Sequence, residues 1–494
     1  MSLEEYFSNY RKEIIGIDHE FESPYGKQKL VYADWIASGR LYLPIENILL
    51  NKFYPFVGNT HSESSETGSI MTSAYRNARK IIKNHVHAGE NDVIIFAGFG
   101  MTAVINKFQR LLGLKFPEQL NMFTSIPESE KPVVFVTHME HHSNHTSWLE
   151  TICDVVIIGT DDQGLVNLDR LEVLLALYKD RKNKIGAFTA ASNVSGIQTP
   201  YHQMAKMIHK YGGICLIDFA AAAPYVDINM HPEDPMQKLD AIFFSPHKFL
   251  GGPGTSGVMI FDSALYKRKI PDNPGGGTVD WTNPWGQHKY IDDIETREDG
   301  GTPGFLQAIK AGLAVKLKEQ MGVNNITDRE KELLRIAFPR LKKIPSLHIL
   351  AQEHEERLGI ISFYVEDIHY NLMVKLLNDR YGIQMRGGCS CAGTYGHYLL
   401  HVDPTRSKRI SDKIDQGDFS LKPGWVRFSL HPTMTNEELE YILTAIEEII
   451  INAKAWSEDY SYSSKTNEYY HKAKESSDLT DTESWFDLTD TLKR

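Results

Sequence analysis

The chain has 494 residues, 41% of them hydrophobic and 24% charged, an ordinary globular composition long enough for two or three packed domains. A net charge of −11 with no basic run argues against nucleic acid as a partner, because such binding relies on basic patches that release counterions. No stretch approaches the length of a membrane span, and Met1-Ser-Leu-Glu-Glu-Tyr-Phe lacks a basic, then apolar, leader pattern, so the expectation is a cytoplasmic protein without a membrane.

In chain order, Leu3, Tyr6, Phe7, Tyr10 and Ile14 recur at helical spacing and predict an amphipathic N-terminal helix. Leu30 to Gly39 reads as a short strand and turn. Asn59 to Ala78 is rich in small hydroxyl residues, and its His61 is read equally as a hydrogen-bonded interface histidine or as a catalytic one. Asp92-Val-Ile-Ile-Phe-Ala runs through Gly98 and Gly100 into a helix starting near Met101 and Thr102; a helix N-terminus offers free N–H groups to a phosphate. A buried strand from Lys131 to Thr137 then delivers His138, Glu140, His141, His142, Asn144 and His145, which could also suggest a metal site.

Three further apolar runs end in polar residues: Ile185 to Asn193, Gly213 to Asp218, and Ala241 to Phe244, the last delivering Ser245, His247 and Lys248 before a glycine-rich loop. A lysine held against an apolar strand loses solvation for its ammonium form, which lowers its pKa toward the range where an amine attacks a carbonyl. Pyridoxal phosphate (PLP) chemistry needs this pairing, a lysine for the aldehyde and an aspartate for the pyridine nitrogen. Five strands with chemistry at their ends predict an α/β fold with a mostly parallel sheet and ligands at its carboxyl edge.

Beyond the glycine-rich segments Gly275 to Thr278 and Gly300 to Pro303, a long helix from Phe305 to Met321 opens a smaller mixed region. It contains Arg386-Gly-Gly-Cys389-Ser-Cys391-Ala and Gly424-Trp-Val-Arg427. Of the four cysteines, Cys153 and Cys215 sit in apolar runs, so only Cys389 and Cys391 invite a chemical reading. Cys389 and Cys391 with His397 and His401 could form a structural zinc site. The segment from Tyr395 to Leu421 reads as a charged, lid-like insertion, and the tail as a polar appendage, partly helical around Tyr469.

These motifs, spread over roughly residues 30 to 450, make the chain similar to the class V aminotransferase family of fold-type I PLP enzymes, and within it to the cysteine desulfurase and selenocysteine lyase branch. The resemblance implies four segments: an N-terminal helical segment (1–29), a large PLP-binding domain (30–304) with a seven-stranded type of sheet, a small α+β domain (305–455) and an appendage (456–494). It implies phosphate contacts from Gly100, Met101, Thr102, Ser245 and His247, ring stacking by His141, and a contact of Asn193 with the phenolic oxygen. Asp218 pairs with the pyridine nitrogen, Lys248 is the anchor, and Thr278 reaches the phosphate of a neighbouring subunit in a homodimer. Cys391 falls on the catalytic cysteine, His141 and Lys248 on proton-handling residues, and Arg427, Arg386 and Asn144 on substrate contacts.

The implied reaction removes sulfur from L-cysteine through a Cys391 persulfide, leaving alanine, with a sulfur-acceptor protein as a further partner and no metal. A class V aminotransferase, epimerase or C–S lyase for another amino acid is the alternative. Two departures favour it: Ala221 stands where the desulfurases carry glutamine, and Cys389, where histidine is usual, makes a Cys-x-Cys with Cys391. Two more touch single contacts: Met101 stands where threonine is frequent, which removes one phosphate donor, and Trp35-Ile36-Ala37 where the family has Asn-Ala-Ala, which alters the substrate contacts there.

Overall fold

The computed structural model describes residues 1–60, 62–119, 126–473 and 482–488. Its centre is a seven-stranded sheet built from β1 (Asp92–Ala97), β2 (Val133–Val136), β3 (Asp154–Ile157), β4 (Lys184–Thr189), β5 (Ile214–Asp218), β6 (Ala241–Phe244) and β7 (Gly257–Asp262). The spatial order is β1-β7-β6-β5-β4-β2-β3, and β7 alone runs antiparallel to its neighbours. The near-continuous apolar runs of these strands follow from burial on both faces. Ile217, Ile242, Phe244 and Val258 pack into one apolar cluster, while their sequence neighbours Leu216, Ala241, Phe243 and Met259 pack into another on the opposite face. Each such fully buried large side chain contributes roughly 1.5–3 kcal/mol over its exposed form.

Register places the chemistry. Asp218 pairs with both Thr189 and Phe243, and Gly257 pairs with Ala97, so the ends of β1, β4, β5 and β6 and the start of β7 share one edge. The helix Phe305–Met321 crosses the helix Glu66–His85 so closely that a Cβ at Gly312 would lie 3.3 Å from the Ala78 Cα, and it leads into the second domain.

That domain holds an antiparallel sheet of β8 (Leu347–Ile349), β9 (Ile360–Val365), β10 (Arg386–Gly388) and β11 (Trp425–Ser429), in the order β8-β9-β11-β10, with the helices Tyr370–Tyr381 and Asn436–Trp456 in the same apolar cluster. Val31–Tyr32, expected to open the large domain, instead pairs in parallel with Ile383–Gln384. The reason is packing: Val31 and Ala33 are buried in the apolar cluster of the small domain. The N-terminal helix runs from Leu3 to Arg11, buries Phe7, and ties down through Arg11 to Glu438 at 2.7 Å.

The expected lid segment is helical over Gly393–Leu399 and Pro404–Asp415. Where a helix was expected around Tyr469, the chain forms a hairpin of Tyr460–Ser463 with Glu468–His471. The tyrosines favour a strand over a helix here, and Asn467 takes the left-handed conformation (φ 59°) at the turn. The Asn467 Nδ2 donates to the Tyr370 hydroxyl at 2.6 Å, and the Tyr370 ring wedges against Gly387 and Gly424, leaving no room for a Cβ at Gly424. Among the described residues no helix is long and apolar enough to cross a membrane.

Candidate active site

At the carboxyl edge of the sheet lies a cavity of about 740 Å³ whose wall draws on both domains. Lys248 comes from the single turn Pro246–Lys248 after β6. Burial disfavours its ammonium and lowers its pKa to about 8, with Arg427 and Arg386 acting in the same sense and Asp218 opposing. Asp218, the last residue of β5, accepts the Ala220 N–H on Oδ1 at 2.8 Å. Burial raises its carboxyl to about 6, against the pull of the Lys248 charge.

His141 caps the helix His142–Leu149: its Nδ1 accepts the Ser143 N–H at 3.1 Å, which places the ring proton on Nε2. Burial, then the nearby Lys248 ammonium, hold this imidazole neutral, with a pKa of about 3.

Beside Lys248 the chain makes a cup at the N-terminus of the helix Met101–Leu111. The Met101 N–H donates to Ser245 Oγ at 2.8 Å, the Thr102 and Ser143 hydroxyls lie 2.6 Å apart, and His247 Nδ1 donates to the Phe99 carbonyl at 2.9 Å, leaving Nε2 free. Only glycine fits the floor. A Cβ at Gly100 would stand 3.0 Å from the His247 ring and 3.1 Å from Ser245 Oγ, and one at Gly257 would press on the Gly100 carbonyl.

On the side of the small domain, Arg427 is buried on β11. Its Nη1 donates to the Asn193 carbonyl at 3.1 Å and its Nη2 to Asp34 Oδ1 at 3.0 Å. Arg386, paired with Arg427 across the strands, donates from Nε to the other oxygen of Asp34 at 3.1 Å. Cys391 is exposed to the cavity on a loop that the large domain holds in place. The His142 N–H donates to the Cys391 carbonyl at 2.8 Å, His142 Nε2 accepts the Gly393 N–H at 2.9 Å, and Asn193 Nδ2 donates to the Ser390 carbonyl at 2.8 Å. Trp425 Nε1 adds a bond to Ser390 Oγ at 3.2 Å. Ser390 and Cys391 both adopt positive φ, 52° and 56°, so the loop bends sharply at the thiol.

The profile of the aminotransferase class-V family matches residues 31–442. The chain belongs to that family. A probable cysteine desulfurase from Halalkalibacterium halodurans is 28% identical over 388 residues, 77% of this chain and 88% of the relative. One from Staphylococcus epidermidis is 29% identical over 377 residues, 75% of this chain and 85% of the relative. Among solved structures, a cysteine desulfurase from Thermococcus onnurineus superimposes with a TM-score of 0.71 at 21% identity, covering 90% of this chain and 98% of its own. One from Escherichia coli gives 0.69 at 20%, with the same coverage. At these identities the structural matches speak to the fold.

The class V fold thus brings together Gly100, Met101, Thr102, His141, Asn193, Asp218, Ser245, His247, Lys248, Arg386, Cys391 and Arg427 on one cavity wall. Two expected residues are not on it. Asn144 was expected to touch substrate, but its amide is spent on its own helix: Nδ2 donates to Glu140 at 2.8 Å and Oδ1 accepts from Trp148 Nε1 at 3.3 Å. Thr278 is fully buried, and its hydroxyl donates to the Gly275 carbonyl at 2.6 Å, so reaching a second subunit would require that turn to open. His61 lies outside the described residues.

Among the described residues the zinc alternative is not assembled either. Cys389 packs half-buried on the apolar core rather than lining the cavity with Cys391. His397 is engaged by the Gly393 carbonyl at 2.7 Å and Ser407 Oγ at 2.8 Å.

Sequence reasoning missed one residue and named another without a role. Asp34 was passed over as part of an apolar opening strand, although a lone carboxylate among Val31, Ala33 and Trp35 was the available signal. Glu140, fully buried, is the other. Its Oε1 accepts from Thr137 N–H at 3.2 Å, Thr137 Oγ1 at 2.7 Å and Thr189 N–H at 2.9 Å, which ties the ends of β2 and β4 together beneath the cavity edge.

PLP fits these residues. The glycine cup matches a phosphate. The buried Asn193 Oδ1, without a partner among the described residues, marks a polar position left for a ligand, and Asp218 keeps one carboxylate oxygen unbonded opposite Lys248. The group would be held by Lys248, Asp218, His141, Asn193 and the cup from Gly100 to Thr102 with Ser245 and His247.

Proposed function

We propose that this chain is a PLP-dependent cysteine desulfurase that passes sulfur from L-cysteine to Cys391 and leaves L-alanine. The observation that carries the reading is Cys391 itself, a thiol held on an anchored, sharply bent loop and opening into the same cavity as Lys248, His141 and Arg427. When bound, PLP supplies an electron sink that weakens bonds around the substrate α-carbon.

The protein does the rest. Arg427 and Arg386 bind the substrate carboxylate, a task suited to the guanidinium fork. The Asp218 carboxylate would pair with the pyridine nitrogen and favour its protonated form. Lys248 Nζ, with a pKa near neutrality, takes and returns the proton at the substrate α-carbon. His141, locked with its proton on Nε2, would offer a fixed donor on the cavity wall.

The Cys391 thiolate then attacks the substrate sulfur: an S–S bond forms, the C–S bond of the substrate breaks, and its β-carbon gains a proton. One thiol and one cysteine give one persulfide and one alanine. A thiol of a sulfur-acceptor protein would discharge the persulfide, and the enzyme would work as a homodimer. Ala221 lines the cavity where the desulfurases carry a glutamine, so a methyl group replaces one donor there and Asn193 would be left to hold the phenolic oxygen.

The test is a panel of amino acids incubated with holoenzyme while sulfide and alanine are both measured. Equimolar sulfide and alanine from cysteine, abolished in Cys391→Ser although cysteine still perturbs the cofactor absorbance, is the expected result. Normal turnover by Cys391→Ser would transfer the assignment to an aminotransferase or C–S lyase.

A further inference from the structure

We infer that Asp34 is the residue that sets which carboxylates the cavity accepts, by holding Arg386 and Arg427 on one carboxylate and leaving the pair with a single net positive charge. The inference rests on the proposed role of these arginines as the substrate grip, and it assigns to Asp34 a positioning role, since Asp34 is not on the cavity wall.

The geometry is specific. Arg386 and Arg427 stand directly opposite each other on β10 and β11, a placement that is repulsive for like charges. Asp34 reaches the pair from the end of Val31–Tyr32, where a backbone bridge to Ser429 locks its position two residues beyond Arg427. One oxygen takes Arg427 Nη2 at 3.0 Å and the other takes Arg386 Nε at 3.1 Å, so both oxygens are used and both guanidiniums are oriented.

Both guanidiniums are still on the cavity wall, and Arg386 keeps 52% of its side-chain surface exposed, so the pair remains open to a ligand. Two guanidiniums against one carboxylate leave one positive charge, which one substrate carboxylate neutralises. Of the other charged groups in the lining, Lys248 faces Asp218 and Arg110 donates to both oxygens of Asp272 at 2.8 Å, so a second carboxylate on the ligand would enter without a cation of its own. Asp34 thus selects monocarboxylates over dicarboxylates.

Asp34→Asn on the holoenzyme tests this. The amide keeps the size of the side chain and every backbone bond, including the Ala37 N–H to the residue 34 carbonyl at 2.9 Å. It can accept from one guanidinium but presents an NH₂ to the other, so one arginine is released and the net charge rises to two. Binding of propionate and succinate, read by calorimetry, needs no turnover.

The expected result is a shift of at least about tenfold in the ratio of affinities toward succinate, the size of one charge-assisted hydrogen bond. The KM for the amino-acid substrate should rise with kcat held within about threefold. Asp34→Glu, which keeps the charge, should retain the wild-type ratio. An unchanged ratio in Asp34→Asn overturns the inference, and so does an equal shift in Asp34→Glu. If the asparagine variant fails to fold, Asp34→Glu decides by itself: the wild-type ratio with a raised KM supports the inference, and an altered ratio refutes it. Because the two acids bind without reacting, a failure of the desulfurase reading would show in the sulfide assay and leave this measurement intact.

Discussion

Lys248 offers a quantitative test. Its pKa is lowered from 10.5 to about 8 by burial, which means that at pH 8 about half of the amines are neutral. A lysine at its ordinary value would be only ~0.3% neutral there, so the buried amine has an advantage of about 150-fold in reactive form. Protein stripped of cofactor should therefore capture PLP covalently with a rate that rises with pH and levels off above a midpoint near 8. Stopped-flow absorbance gives the rate, and borohydride trapping with peptide mapping confirms Lys248 as the residue modified. The sign of a second perturbation is also fixed. Asp218 raises the Lys248 value, so Asp218→Asn should move the midpoint below that of the wild type. A wild-type midpoint above about 10, or an upward shift in Asp218→Asn, would refute the electrostatic account of the site.

The same burial costs stability. The folded value of Lys248 lies below its unfolded one, so the stripped protein should gain stability as pH rises from about 8 to 10.5; below that window the penalty, about 3 kcal/mol, is present in full, and Lys248→Met should raise the Tm of stripped protein at pH 7. Glu140→Ala leaves four donors unmet, at about 1 kcal/mol each. Denaturant unfolding should show a loss of about 4 kcal/mol, and Glu140→Gln a much smaller one, since its carbonyl oxygen can keep the three bonds now made by Oε1. Gly257→Ala forces the Gly100 carbonyl to move and should weaken PLP binding at least about tenfold, measured by fluorescence titration, with a stability cost of roughly 1–3 kcal/mol. Iodoacetamide should modify Cys391 well before Cys389, and Cys389→Ser should retain more than half of the sulfide release; equal labelling of the two thiols would contradict their different exposures.

The large domain was readable because its strands are buried on both faces. Val133–Val136 and Ala241–Phe244 are uninterrupted apolar runs, and a polar residue that follows such a run emerges at the carboxyl edge of the sheet. Lys248 and Asp218 were therefore locatable from local patterns, whereas His141 and Asn193 were singled out among their neighbours only through the family resemblance.

Asp34 was not, because its partners lie 352 and 393 residues away and no local period connects them. Asn144 was misplaced for the opposite reason. It follows His141 closely in sequence, but its neighbours one helical turn away on either side, Glu140 and Trp148, take up its amide. The hairpin of residues 460–471 escaped notice because the tail has little hydrophobic alternation, and its stability comes from tertiary contacts of Asn467 and its tyrosines.

That hairpin lies past residue 442, the last one the family profile matches. Chain ends are where proteins most readily tolerate trimming, extension and fusion. Here the hairpin is mechanically coupled to the interior: Asn467 grips Tyr370, whose ring abuts Gly387, the residue next to Arg386, and Gly424, which opens the approach to Arg427. A cargo joined to the chain just after His471 would load a lever whose short arm ends at the two arginines, so a partner fused at that point belongs on a linker long enough to carry no tension.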